Sequence, residues 1–248
     1  MNAVRLAVGT LTIFPTRPPS LVDEHVAGRA MVLAPFVGGL VAVPLWVVSA
    51  LVDEHWSSAL VAVLWVAALA VLTRGMHLDG LADTADGLGS GKPPAEALEI
   101  MRKGDVGPFG VTTIVLVLLA QVMAASELLV HAGGAGLVAV AVVLSRSAIP
   151  WVCVNRPARE GGLGAMVAGS VSTAQAVLAL AAAALIVAVM AVVGELDSGV
   201  LLAGVVGSLA GLALCAWCVR RLGGITGDVI GACVEAAFTG ALLAMTLA

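Results

Sequence analysis

The sequence predicts an all-α fold, a polytopic transmembrane helical bundle of about seven spans, on three observations. Apolar residues make up 60% of the 248 and charged residues 11%, against roughly 45–50% and about 25% in a soluble domain. The apolar residues fall in blocks close to the ~20 residues that a bilayer crossing needs. Lysine and arginine are spread unevenly among the segments joining those blocks. The length suits one integral membrane domain over 1–248, with little left for a separate soluble one. A net charge of −4 without a basic tract gives no electrostatic footprint for a nucleic-acid partner.

In chain order, Leu6 to Phe14 is an apolar patch followed by Pro15, Pro18 and Pro19. It is too short to cross and predicts an interfacial or re-entrant segment. Spans are expected at about 30–52, 56–74, 110–130, 134–154, 172–194, 199–219 and 228–247. They are rich in Ala, Val, Leu and Gly, and such small residues let helix backbones approach closely in lipid. That composition permits homo-oligomerisation without requiring it. Between spans two and three, a polar cytoplasmic loop at about 75–109 contains one short amphipathic helix, 94–103, opened by Pro93 and Pro94. Glu99 and Lys103 in it are an i, i+4 pair.

The positive-inside rule orients this arrangement. With the N-terminus inside, the inner segments hold Arg5, Arg17, Arg29, Lys92, Arg102, Lys103, Arg156, Arg159, Arg220 and Arg221. Arg74 sits at the inner end of span two and Arg146 in the inner half of span four. The outer segments hold Asp53, Glu54, Glu195 and Asp197 and no basic residue. All twelve Lys and Arg therefore lie on the inner side or lean toward it. The expectation is N-in, C-out, in the plasma membrane, with 75–109 facing the cytoplasm. Cys153, Cys215, Cys218 and Cys233 all lie in apolar segments, where cysteine behaves as a small hydrophobe.

The chemistry concentrates in 75–109. Asp79, Asp83 and Asp86 stand at i, i+4 and i+7, one face of a helix. Three such close carboxylates repel unless a cation sits between them. An all-oxygen set suits Mg²⁺ or Mn²⁺ better than zinc, and Mg²⁺ is usually held by one or two carboxylates plus substrate phosphates. The competing reading is a solvated acidic face. Glycines at 75, 80, 87, 89 and 91 argue against it, since a merely solvated face needs no permissive backbone. His77, just before the cluster, is a candidate base or phosphate ligand, or an interfacial residue. Gly107, in the glycine-rich entrance to span three, is placed to aim a backbone N–H at a phosphate.

Other polar residues lie near the inner face. Arg146 is costly inside a span and is a functional candidate on that ground, with snorkelling to the interface as the alternative. Arg156 and Arg159 precede a run of glycines and offer guanidinium groups to phosphate oxygens. Asp228, after the turn containing Gly224, either caps the last helix or binds metal. Glu235, seven residues on, shares its face deeper in the bundle.

His77 to Gly91 (HLDGLADTADGLGSG), Ala97 to Gly110 (ALEIMRKGDVGPFG) and Leu222 to Glu235 (LGGITGDVIGACVE) resemble the adenosylcobinamide-GDP ribazoletransferase, or cobalamin synthase, family. The runs FPTRP at 14–18 and RP with EGGLG at 156–164 are also similar to it. The resemblance implies a membrane enzyme that joins adenosylcobinamide-GDP to α-ribazole or its 5′-phosphate and releases GMP, with Mg²⁺ as the metal. In that reading Asp79, Asp83, Asp86 and Asp228 hold the metal. Asp83, Asp86 or His77 serves catalysis, and Arg146, Arg156, Arg159, Gly107 and Gly224 bind substrate. Composition and spacing alone reach only metal-assisted phosphoryl transfer at an inner membrane face.

Two rival classes fit less well. A CDP-alcohol phosphotransferase needs an arginine after its Asp-Gly pair, whereas Asp79-Gly80 is followed by Leu81-Ala82-Asp83; a polyprenyl transferase expects a second Asp-rich loop. A cation-coupled transporter usually shows structural repeats and midplane ligands, and neither is visible.

Overall fold

The structure is a computed structural model and describes residues 1–50 and 56–248. The expected outer residues Asp53 and Glu54 lie outside the described residues. Regular structure among the described residues is helical, apart from one isolated parallel β-bridge between Pro157 and Ile225. The helices are α1 (Asn2–Leu11), α2 (Glu24–Val32), α3 (Ala34–Ala50), α4 (Ser58–Leu72), α5 (Met76–Gly89), α6 (Pro94–Arg102) and α7 (Pro108–Leu129). They continue as α8 (Gly134–Arg146), α9 (Ala148–Val152), α10 (Gly162–Val167), α11 (Thr173–Gly194), α12 (Ser198–Leu222) and α13 (Gly227–Met245).

Five segments are long and apolar enough to cross a bilayer: α7, α8 with α9, α11, α12 and α13. The apolar α3 and α4 raise the count toward seven, each joined to a second helix at a bend, α2 at 44° and α5 at 88°. The count is thus five to seven, close to the expected seven. Helix α1 is the short N-terminal element, too short to cross, packed on α2 through Ala7 and Leu11.

Helix α8 is the axis of the bundle, with Val138 to Val143 sealed on every side. Leu178, Leu185, Val192, Leu202 and Val206 of α11 and α12 are exposed, as lipid-facing positions should be. Small residues set the spacing. A methyl on Gly207 of α12 would overlap the Gly240 carbonyl of α13, and one on Gly211 would overlap the Cys233 carbonyl. The helices therefore meet at backbone distance, where dispersion replaces a hydrophobic drive that lipid cannot supply.

The region expected to be a loop opening on one helix is mostly helical. Arg74 (φ 56°) and Gly75 (φ 67°) take left-handed conformations and make the 88° turn. Arg74 is held there by its Nη2, which donates to the Gly9 and Thr10 carbonyls at 2.8 and 3.0 Å and so caps α1. Helix α5 then runs across the end of the bundle, outside the line of the α4 span, and packs against α13 and α7. Its glycines serve two purposes, not the single one expected. Gly75 and Gly91 supply positive φ, whereas Gly80, Gly87 and Gly89 make room. A Cβ on Gly80 would lie 2.6 Å from the Asp228 carbonyl oxygen, and one on Gly87 would meet Met101. Helix α6 forms where expected, but Glu99 pairs with Arg102 at 3.8 Å, not with Lys103.

The segments expected on the inner side share one end of the bundle. Arg74 reaches α1, Arg221 donates to the Lys92 carbonyl, and Arg159 reaches Asp228. At the other end Trp46 lies against Gly136 and Gly194. This grouping is what an alternating up-and-down chain requires.

Candidate active site

Helices α5 and α13 cross so closely at Gly80 and Asp228 that their acidic residues are forced together. Asp79 is exposed, Asp83 and Asp86 are buried, and Asp228 is half-buried in the first turn of α13. Thr226 caps α13 by accepting the Val229 N–H, so Asp228 is released from that duty. Its Oδ2 accepts the Thr226 hydroxyl at 3.1 Å and faces Arg159 Nη2 at 3.5 Å. Burial, then the neighbouring charges of Asp228, Asp79 and Asp86, push the Asp83 carboxyl up to about 6, with Arg159 opposing. A carboxyl raised in this way by its acidic neighbours marks a site short of positive charge.

Arg159 is placed by a backbone splice. The Ile225 N–H donates to the Arg156 carbonyl and the Ala158 N–H to the Ile225 carbonyl, at 3.0 and 2.9 Å. Arg156 Nε donates to the Gly223 carbonyl at 2.8 Å, closing the C-terminus of α12. Gly224 is needed because a Cβ there would sit 2.5 Å from the Arg156 carbonyl oxygen. The structure thus gives Gly224 a packing role in the splice. Arg159 Nη1 also donates to the Leu98 carbonyl at 3.2 Å, tying the splice to α6.

Asp86 has a different task from its neighbours. Its Oδ2 accepts the Gly107 N–H at 2.7 Å and its Oδ1 the Gly110 N–H at 2.9 Å. The N-terminus of α7 is therefore occupied by a protein carboxylate, and Gly107 does not offer its N–H to a phosphate as expected. Each Asp86 oxygen retains a lone pair, but its first function is to fix α5 against α7.

Arg146 and His77 are not brought to this face. Arg146 is buried in the bundle, where it lines a small cavity with Gln121, Glu235 and Leu78, and donates to Ser145 at 2.8 Å. Glu235 accepts the Gln121 Nε2 proton at 2.7 Å. His77 is 2% exposed, and neither ring nitrogen has a hydrogen-bond partner. Burial, with a smaller push from Arg146, drives its pKa down to about 3, so the ring is neutral. Sequence reasoning missed Gln121 and Thr226. A glutamine in mid-span and a threonine two residues before an acid were the signals.

Among the described residues no three His, Cys, Asp or Glu side chains converge tightly enough to hold a metal by themselves. The donor set is all carboxylate, which fits Mg²⁺ bound jointly with substrate phosphates.

Fold and site together define an all-helical integral membrane protein with an acidic, arginine-flanked site at one end of its bundle. Residues 3–246 match the family model described as cobalamin-5-phosphate synthase, and the chain belongs to that family. It is 42% identical over 250 residues to an adenosylcobinamide-GDP ribazoletransferase from Nocardioides sp., covering 98% of this chain and 97% of that protein. Proteins of the same name from Frankia casuarinae and Stutzerimonas stutzeri are 39% and 35% identical, covering all of this chain and 95% and 98% of their own. No solved structure matches the chain.

Proposed function

We propose that this protein is an adenosylcobinamide-GDP ribazoletransferase. It joins adenosylcobinamide-GDP to α-ribazole, or its 5′-phosphate, and yields adenosylcobalamin, or its phosphate, with GMP. The observation that carries this reading is likeness over the whole chain, 35–42% identity to three relatives of that name. The site's chemistry agrees: facing carboxylates and a guanidinium suit a pyrophosphate substrate.

The reaction is displacement at phosphorus. A free ribose hydroxyl of the acceptor attacks the phosphorus on the corrinoid side, and the bond to the bridging oxygen breaks. GMP leaves with that oxygen. Asp83, raised to about 6 by burial and its acidic neighbours, accepts the hydroxyl proton. Arg159 binds phosphate oxygens and trades its hold on Asp228 for them, and Arg156 stands at the same rim. Asp86 keeps α5 aligned. Mg²⁺ held by Asp79, Asp83 and Asp228 together with the pyrophosphate would supply charge neutralisation. Asp86 has lone pairs to join that set.

The proposed setting is the cytoplasmic face of the plasma membrane, supported by the distribution of the twelve basic residues. The test incubates purified protein with both substrates and Mg²⁺. Equimolar GMP and cobalamin product are expected; their absence sinks the reading.

A further inference from the structure

Arg159 holds helix α6 beside the acidic site. Its Nη1 donates to the Leu98 carbonyl at 3.2 Å, while its Nη2 faces Asp228 Oδ2 at 3.5 Å. One guanidinium therefore belongs both to the acid cluster and to a groove next to it. The groove holds about 480 Å³ and is lined by Ala95, Leu98, Glu99 and Arg102 of α6 and by Arg159 and Glu160 of the splice segment. That volume falls within the ~300–1,000 Å³ of small-molecule sites. Glu99, Arg102 and Glu160 are exposed, so the groove opens to solvent, as the exit of a leaving nucleotide must.

Helix α6 buries Ala97, Leu98 and Met101 on one face. Glu99 and Arg102, three residues apart, are neighbours on its open side. Their carboxylate and guanidinium stand 3.8 Å apart with 70% and 69% of the side chains exposed. A pair so exposed binds its members weakly, and both can turn to a ligand. Together they present an acceptor beside a donor. The Watson–Crick edge of guanine is the complement: N1–H and N2–H₂ donate side by side to a carboxylate, and O6 next to them accepts from an arginine. Hypoxanthine lacks the N2 amino group, and adenine lacks both that group and the N1 proton. Glu160 is the poorer reader, because the guanidinium next to it in the chain, Arg159, is turned to Asp228 and Leu98.

We propose that the groove between α6 and Arg159–Glu160 is the subsite for the guanine base of the corrinoid-linked nucleotide, with Glu99 accepting from N1–H and N2–H₂ and Arg102 donating to O6. This rests on the transferase reading above and deepens it. The pyrophosphate lies at Asp228 and Arg159, and the ribose leads from there into the groove. Glu99 and Arg102 thus select the nucleotide at its leaving end and take no part in proton transfer.

The test uses the full chain purified in detergent with Mg²⁺, titrated calorimetrically with GMP, IMP and AMP. The parent protein should bind GMP at least about tenfold more tightly than IMP, the worth of one hydrogen bond to a charged group, and IMP more tightly than AMP. Glu99→Gln should weaken GMP about tenfold or more and erase its advantage over IMP. Arg102→Ala should weaken GMP and IMP alike, and Glu160→Gln should preserve the order of the three. These side chains are exposed, so the variants keep the fold. In turnover, Glu99→Gln and Arg102→Ala should raise the KM for adenosylcobinamide-GDP and leave that for α-ribazole unchanged. Equal binding of the three nucleotides by the parent protein overturns the proposal. So does GMP binding unmoved in both α6 variants, or a preference lost in Glu160→Gln and kept in Glu99→Gln. A parent protein that releases no GMP from the two substrates sinks the transferase reading, whereas normal turnover with indifferent nucleotide binding sinks the guanine subsite alone.

Discussion

Asp228 and Glu235 stand seven residues apart on one face of α13, yet they live in opposite surroundings. Asp228 lies at the helix mouth, half-buried, with Arg159 3.5 Å away and Thr226 beside it. Glu235 lies two turns deeper and 8% exposed, fixed by Gln121 at 2.7 Å and lining a cavity with Arg146. The first acid can exchange partners with a ligand because its guanidinium partner is partly open to solvent. The second cannot, because removing any member of a sealed polar network strands the others. Depth in the bundle, not sequence spacing, separates a site residue from a structural one.

Metal removal tests the mouth most severely. Chelation should abolish turnover, and added Mg²⁺ should restore it; activity that survives chelator breaks the carboxylate assignment. Next, Asp83→Asn should cost roughly 10²–10⁴ in kcat, the usual worth of a general base, with the protein still folded. Glu235→Leu should do the reverse. It strands Arg146 and Gln121 and should lower unfolding stability by about 3–5 kcal/mol, read by thermal melting in detergent, while the folded fraction keeps its specific activity. If Glu235→Leu leaves stability intact and removes activity, the contrast between the two acids collapses. Arg159→Lys keeps the charge but loses the fork. It should raise the KM for the GDP-linked substrate by about tenfold with little change in stability.

The smallest effect is one of pH. Asp83 is raised toward 6 in the folded chain, so its neutral form is the one folding favours. Its contribution is full below the ordinary carboxylate range and is lost as pH rises through about 6. Metal-free protein should therefore melt at a lower temperature at pH 8 than at pH 5. Asp83→Asn should remove that part of the dependence, measurable by melting in chelator.

The acidic face of α5 was legible because it depends only on local spacing, and Arg159 because arginines beside glycines at a membrane face are few. What Asp86, Gly107, Gly224, Arg146 and His77 do was not legible. Asp86 meets Gly107 and Gly110 across 21 and 24 residues of chain. Gly224 meets Arg156 across the splice, and Glu235 meets Gln121 across 114 residues. The same residue types would read identically with the partners exchanged.

The sequence by itself determined the class of fold, the approximate spans, a short N-terminal segment that does not cross and the acid cluster. Each follows from local hydropathy or from the 3.6-residue period. Only the tertiary structure decided which acids remain open to a ligand, that Gly80 lets α5 touch Asp228, and that His77 is buried without a hydrogen-bond partner. Those outcomes depend on close approach between helices distant in the chain, and backbone-to-backbone packing at glycine is set by the partner as much as by the residue.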